Sequence, residues 1–318
     1  MARGGVTMTD FAAMADYYLR TRRALGYKLV ERGRLLGQFV DYLRAHNADH
    51  LTVALTVGWA RQPADANPVW WTERLSIVRG FARYLSAFDP ATEVPPTGLL
   101  PPGQRRITPY LFSDADIDAL LDAAGRLTAG LRADTYQTLI ALLSVTGMRI
   151  GEAVGLNRSD IDWDQGLITI RHAKFNKSRQ IPVHATTTAA LDGYARRRDT
   201  LLESKTKPPG AAFFVSTTGT RLIPGRASAN VGFLIRDTDL WNTSTDRPPR
   251  AHDLRHSFAV RTLLGWYRSG ADVNQRLPLL STYLGHVGPA STYWYLHAAP
   301  ELMALAAERL DQHRQEPS

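Results

Sequence analysis

"GLITIRHAKFNKSRQIPVH", residues 166–184, carries the clearest strand signal in this chain of 318 residues. Side chains from 167 to 171 alternate as a half-buried strand requires, and RQIPVH reads as its partner. KFNKS between them is the turn, which places Lys174 and Lys177 on a hairpin. Almost everything around this hairpin has a helical period. Residues 135–145 read as a helix stopped at Gly147 in the left-handed C-cap conformation, and Arg149 opens another to about Leu156. A further helix is expected at 185–203, and FFVS at 213–216 as a short strand. From His252 the pattern is helical again, with breaks at Gly270, Pro278 and Gly285. The expected fold is therefore mainly α with a small β-sheet.

The chain divides on composition. Residues 1–88 read as a helical domain. Leu36, Phe39, Val40 and Leu43 make one buried helix stripe, and Trp71, Leu75, Val78, Ala82 and Leu85 a second. Arg20, Arg22, Arg23, Lys28, Arg32, Arg34, Arg74, Arg79 and Arg83 flank them, either as a solvated face or as a surface for a DNA backbone. Residues 89–109 hold six prolines and two glycines, which read as a semi-rigid linker that also carries Arg105 and Arg106. Residues 110–318 form the mixed α/β domain, opened by Ser113 as an N-cap with Asp116 three residues on.

The formal charge is +8, which suits a polyanionic partner. With no cysteine, disulfides, thiolate metal sites and cysteine nucleophiles are excluded, and a reducing compartment is expected. No stretch approaches the run of about 20 apolar residues that a membrane span needs. The opening MARGGVTMTD lacks the apolar run of a signal peptide. Cytoplasmic residence, at a bacterial nucleoid, is the expectation.

Four segments of the second domain concentrate polar residues: TGMRIGEAVGL with Arg149 and Glu152, the hairpin lysines, AHDLRHSFA with His252, Arg255 and His256, and LGHVGPASTYWYLH with His286, Tyr293, Tyr295 and His297. Singly, each has an ordinary structural explanation: a surface cation, a solvated turn, a helix cap, core aromatics. A metal set of His252, His256 and His286 lacks a supporting acidic pattern. Together they describe phosphoryl transfer. A guanidinium fork fits two oxygens of a phosphodiester, Lys and His move protons, and a tyrosine hydroxyl can form a covalent intermediate.

In order and spacing these motifs resemble the tyrosine recombinase (phage integrase) family, of the simple two-domain transposon or Xer-like type. TGMR stands at 146–149 with Glu152 after it, KFNKSR at 174–179, HDLRH at 252–256, LGH at 284–286, and Tyr295 nine residues after His286. Ala173 stands before Lys174, where the family often has Gly. The resemblance implies a helical core-binding domain followed by a catalytic domain, and roles for individual residues. Arg149 and Arg255 hold the scissile phosphate. Lys174 is the general acid on the leaving 5′-oxygen, His252 assists proton transfer at the tyrosine, and His286 bonds a non-bridging oxygen. Tyr295 attacks, leaving a 3′-phosphotyrosyl link, and Glu152 fixes the Arg149 region from behind. No cofactor and no metal are implied. The implied partners are double-stranded DNA with paired recombination sites and a homotetramer in the synaptic complex, with no membrane. A helical apolar stripe at Leu302, Leu305, Ala306 and Leu310 would pack on its own domain or on a neighbouring protomer. Arg221, Arg226 and Arg236 are candidate base readers. The alternatives are topoisomerase IB-like DNA relaxation and a catalytically idle DNA-binding regulator.

Overall fold

The computed structural model describes residues 10–101, 108–128, 130–171, 178–204, 210–242, 247–286, 292–293, 295 and 301–302. The chain forms two compact units, residues 1–106 and 107–318.

The first unit packs α1 (Phe11–Ala24), α2 (Val30–Ala45), α3 (Val53–Ala60) and α4 (Pro68–Leu85) around one apolar core. Side chains cap three of them: Asp10, Thr52 and Asn67 accept from the free N–H groups of α1, α3 and α4. Both expected stripes face the core, where Phe39, Leu43, Val78 and Leu85 are fully buried and Trp71 half-buried. The basic flank is not uniform. Arg74 is buried, donates to the Trp59 carbonyl at 2.8 Å and lies 3.7 Å above the Trp59 ring. That guanidinium is part of the core and unavailable to a phosphate. Arg79 donates to the carbonyls of Pro95 and Pro96 at 2.8 and 2.9 Å. Arg23, Lys28, Arg32 and Arg83 remain exposed.

The proline-rich stretch lies against this unit over its described part. Val94 and Leu100 enter the core, and the Thr72 hydroxyl donates to the Pro101 carbonyl at 2.7 Å. Proline loses its N–H but keeps its carbonyl, so a helix face rich in side-chain donors can hold such a segment. Arg105 and Arg106 lie outside the described residues.

The second unit is built on α6 (Gly130–Thr146), which packs against α5 (Asp114–Gly125), α7 (Ile150–Gly155), α8 (Ala185–Glu203) and α10 (Asp253–Arg268). Its buried residues, among them Leu131, Tyr136, Leu139, Ile140 and Leu143, lie on more than one face, as a helix surrounded by others requires. Ser113 and Asp116 form the expected capping box at the start of α5. The sheet comprises β1 (Ile161–Asp162), β2 (Leu167–Ile170) and β3 (Arg179–Pro182), antiparallel in that order. Ile161, Ile168 and Ile181 stand in register and are buried together. Two further helices are α9 (Pro224–Arg236) and α11 (Val273–Leu284).

Three expectations of local structure change. FFVS is not a strand: Phe213 and Phe214 are both buried against Tyr194, and the neighbourhood holds only isolated bridges at Ala212 and Val215. Two consecutive inward aromatics break the alternation a strand needs. Pro278 does not interrupt α11, whose ends are fixed by the Asp272 cap and by Gly285. Its buried face of Val273, Leu277, Leu280 and Leu284 offsets one lost backbone bond. Helix α9 was not anticipated; Pro224 opens it, and Ala227, Val231, Leu234 and Ile235 give it a buried side. No helix among the described residues is long and apolar enough to cross a membrane.

Candidate active site

The site grows from two helix ends. Helix α6 closes at Gly147, with φ +60°, where a Cβ would lie 2.5 Å from the Phe258 ring. Helix α11 closes at Gly285, with φ +66°, where a Cβ would lie 2.6 Å from an Arg179 nitrogen. Only glycine meets both the backbone angle and the crowding.

A helix C-terminus leaves carbonyls without intrahelical partners. Here arginines take them. Arg179 donates to the Tyr283 carbonyl at 2.7 Å, Arg255 to that of Leu284 at 2.6 Å, and Arg149 to that of Gly285 at 3.0 Å. Three successive carbonyls at the end of α11 therefore hold three guanidinium groups. The other nitrogen of Arg255 donates to the Gly147 carbonyl at 2.8 Å, tying the two helix ends together. Glu152 ties the remaining arms. It accepts from Arg149 at 2.8 Å and from both terminal nitrogens of Arg179 at 3.1 and 2.8 Å. Its second oxygen also accepts the Arg149 backbone N–H at 3.0 Å. Burial alone would raise the Glu152 carboxyl, but the bonds from Arg179 and Arg149 hold it below the usual carboxylate range. Arg255 is buried and Arg149 half-buried. Burial, with Arg149 adding like charge, brings Arg255 down to about 10.

The tyrosines separate. Tyr295 is 2% exposed and Tyr293 is 47% exposed. Of the arginines, Arg255 acts most strongly on the Tyr295 side chain. Burial pushes the phenol up, against the charge of Arg255 and Arg149, so the hydroxyl stays protonated near neutral pH. The His256 ring lies 5.4 Å and the His286 ring 5.9 Å from the Tyr295 ring, centroid to centroid. His252 meets His256 edge-on at 4.9 Å. The described residues contain no group of three His, Cys, Asp or Glu side chains that could hold a metal ion.

Arg149, Glu152, Arg255, His286 and Tyr295 thus converge, with His252 reached through His256. Lys174, Lys177, Trp294, His297, Leu305, Ala306 and Leu310 lie outside the described residues. Leu302 is buried in its own unit, in the same cluster as Tyr295 and Leu277. Sequence reasoning passed over Arg179 as a site residue, although it closes the KFNKSR motif, and assigned His256 no catalytic role. Of the candidate base readers, Arg221 is engaged by the Val154 and Leu156 carbonyls and by Asn157, and Arg236 lies over the rings of Phe233 and Trp241. Arg226 is exposed at the start of α9.

Burial presses the half-buried rings of His256 and His286 down to about 4, with neighbouring positive charge adding to it; His252 moves the same way. The unfolded chain protonates these imidazoles below an ordinary pKa near ~6.5. A depressed histidine therefore favours folding above that pH and counts against it as pH falls towards 4. Stability is expected to be level above pH 7 and to fall between pH 7 and 5, by up to about 2 kcal/mol for each of His256 and His286, while exposed His252 adds little. Urea unfolding at those two pH values measures it, and an unmoved midpoint would contradict the buried neutral rings.

Comparison with known proteins places this geometry in context. The family model described as "Phage integrase family" matches residues 112–301. A protein of Sinorhizobium fredii, y4rB, by its name an integrase/recombinase, is 43% identical over 96% of this chain and 98% of its own. Tyrosine recombinase XerC of Azotobacter vinelandii is 34% identical, over 70% of this chain and 67% of its own. Among solved structures, the Tn1549 transposon integrase in complex with transposon right end DNA superposes with a TM-score of 0.63. It is 14% identical, over 94% of this chain and 99% of that one. The XerH recombinase bound to its difH substrate gives 0.60 at 18% identity, over 87% and 78%. At such identities these two structures speak to the fold alone.

Proposed function

From the premise that the chain belongs to the phage integrase family, and is a site-specific DNA recombinase, we propose how its residues cut and rejoin DNA. The Tyr295 hydroxyl attacks the scissile phosphorus. Its proton passes to a neutral imidazole, His256 beside it or His252 behind. Arg149 and Arg255 bind the two non-bridging oxygens, and His286 donates a third bond. The bond to the 5′-oxygen breaks as Lys174 protonates it. The products are a 3′-phosphotyrosyl link and a 5′-hydroxyl. Attack on that link by the 5′-hydroxyl of a partner strand regenerates Tyr295, so rejoining needs no external energy source. The observation that carries this reading is Tyr295 itself, buried beside the His256 and His286 rings and under the charge of Arg255, within a fan of arginines.

The partner is double-stranded DNA with paired recombination sites, joined by a homotetramer of this chain, in a mobile element or phage resident in bacterial cytoplasm at the nucleoid. Both units, residues 1–106 and 107–318, contribute to holding the duplex. A nicked duplex from the DNA flanking the gene tests the reading. A protein–DNA adduct that survives denaturant is expected with the wild-type chain. Its absence on every flanking sequence would favour an idle regulator. Relaxation of supercoiled DNA lacking any site would favour a topoisomerase.

Affinity for that DNA is also expected to fall by roughly 10³-fold or more between 50 and 200 mM salt, because each phosphate contact releases a counterion. Fluorescence anisotropy measures the slope; a flat response would contradict a backbone-gripping protein.

A further inference from the structure

Thr292 lies within the LGHVGPASTYWYLH segment but is given no role by the motifs that identify the site, yet its side chain is fully buried. Its hydroxyl oxygen lies 2.7 Å from Nδ1 of His286. Residues 292 and 295 are both helical, so Thr292 sits one turn before Tyr295 on the same face. Threonine offers one proton and two lone pairs. A neutral imidazole has one N–H and one lone pair, and the bond made by one nitrogen decides which of them carries the proton. Burial and the charges of Arg255, Arg149 and Arg179 keep the His286 ring neutral. It therefore has a single proton to give, and the nitrogen that holds it determines what the ring can do.

We propose that Thr292 is a positioning residue for strand transfer: its hydroxyl donates to Nδ1 of His286 and leaves the ring proton on Nε2 for a non-bridging oxygen of the scissile phosphate. This rests on the recombinase reading above. Its consequence is a coupling. The threonine and the nucleophile are carried by the same turn of helix, so His286 is held in the donating tautomer only while the Tyr295 segment is seated. A phosphate meets a ready donor and a ready nucleophile together, or neither.

Two measurements on the full chain test it. In the ¹H–¹⁵N spectrum of histidine-labelled protein, His286 is identified by its absence in His286→Asn. Wild-type Nδ1 is expected to be unprotonated and Nε2 protonated. Thr292→Val, which keeps the shape and removes the hydroxyl, is expected to give a mixture, and Thr292→Ser to restore the wild-type pattern. In single-turnover cleavage of the nicked duplex, Thr292→Val is expected to slow the reaction by about 10-fold and Thr292→Ser to recover it, with DNA affinity unchanged. A protonated Nδ1 in the wild type, or a wild-type cleavage rate in Thr292→Val, overturns the proposal. If the wild type itself forms no adduct, the recombinase reading fails, while the tautomer measurement still decides the hydrogen bond.

Discussion

Tyr295→Phe is expected to abolish the covalent protein–DNA adduct while leaving DNA binding intact. The change removes one oxygen and nothing else. That oxygen is the one on which the charge of Arg255 acts, in a ring packed between His256 and His286. Losing a buried hydrogen bond costs about 1 kcal/mol of stability, so the variant remains folded and its silence is chemical. Tyr293→Phe serves as the control. Its ring is nearly half exposed, two residues away and so roughly 200° around the helix, facing away from the arginines. It should form adduct at the wild-type rate. Denaturing electrophoresis of the nicked-duplex reaction reads both. An adduct in Tyr295→Phe that vanishes in Tyr293→Phe would reverse the assignment.

Arg255→Ala is expected to slow single-turnover cleavage by about 10²- to 10³-fold, the loss seen when a preorganised donor to a developing oxyanion is removed. It should also destabilise the second unit. The guanidinium satisfies the Gly147 and Leu284 carbonyls at once, and its removal strands both, at about 1–3 kcal/mol for each buried group. Arg255→Lys separates the two effects. A lysine keeps the charge but lacks the planar fork, so it recovers part of the stability and little of the rate. Urea unfolding and cleavage of the same duplex give the pair of numbers. If Arg255→Ala cleaves within about tenfold of wild type, the guanidinium does not stabilise the transition state.

Which features the sequence disclosed follows from the range over which each is encoded. Helices with clean periods and glycine stops, such as α8 and the end of α6, are written locally and were anticipated closely. So was the hairpin, because its alternation is local too. The convergence of Arg149, Arg255, His286 and Tyr295 was readable only through motif order, since Arg149 stands more than a hundred positions before the other three. Their anchors were not readable. A backbone carbonyl has no sequence signature, so nothing in LGH announces that Tyr283, Leu284 and Gly285 each accept from an arginine. Arg179 was overlooked for the same reason: its partners lie on α7 and α11, far along the chain. Pro278 and FFVS misled because local propensity was overridden by burial, of one helix face in the first case and of two adjacent phenylalanines in the second. In the proline-rich stretch, composition signalled a linker while Val94 and Leu100 were already part of a core.

The clasp at the end of α11 has an electrostatic consequence. Carbonyls carry dipoles but no net charge, so they hold the arginines without neutralising them. Against Arg149, Arg179 and Arg255 the described pocket sets a single carboxylate, Glu152, which leaves an excess of two positive charges. A phosphodiester brings roughly one negative charge, and its pentacoordinate transition state gathers roughly two. The resting pocket is overcharged for its substrate and matched to the state in which the bond is half broken. Burial, with the like charge of Arg149 adding to it, already loosens the hold of Arg255 on its own proton, to about 10, before any DNA arrives.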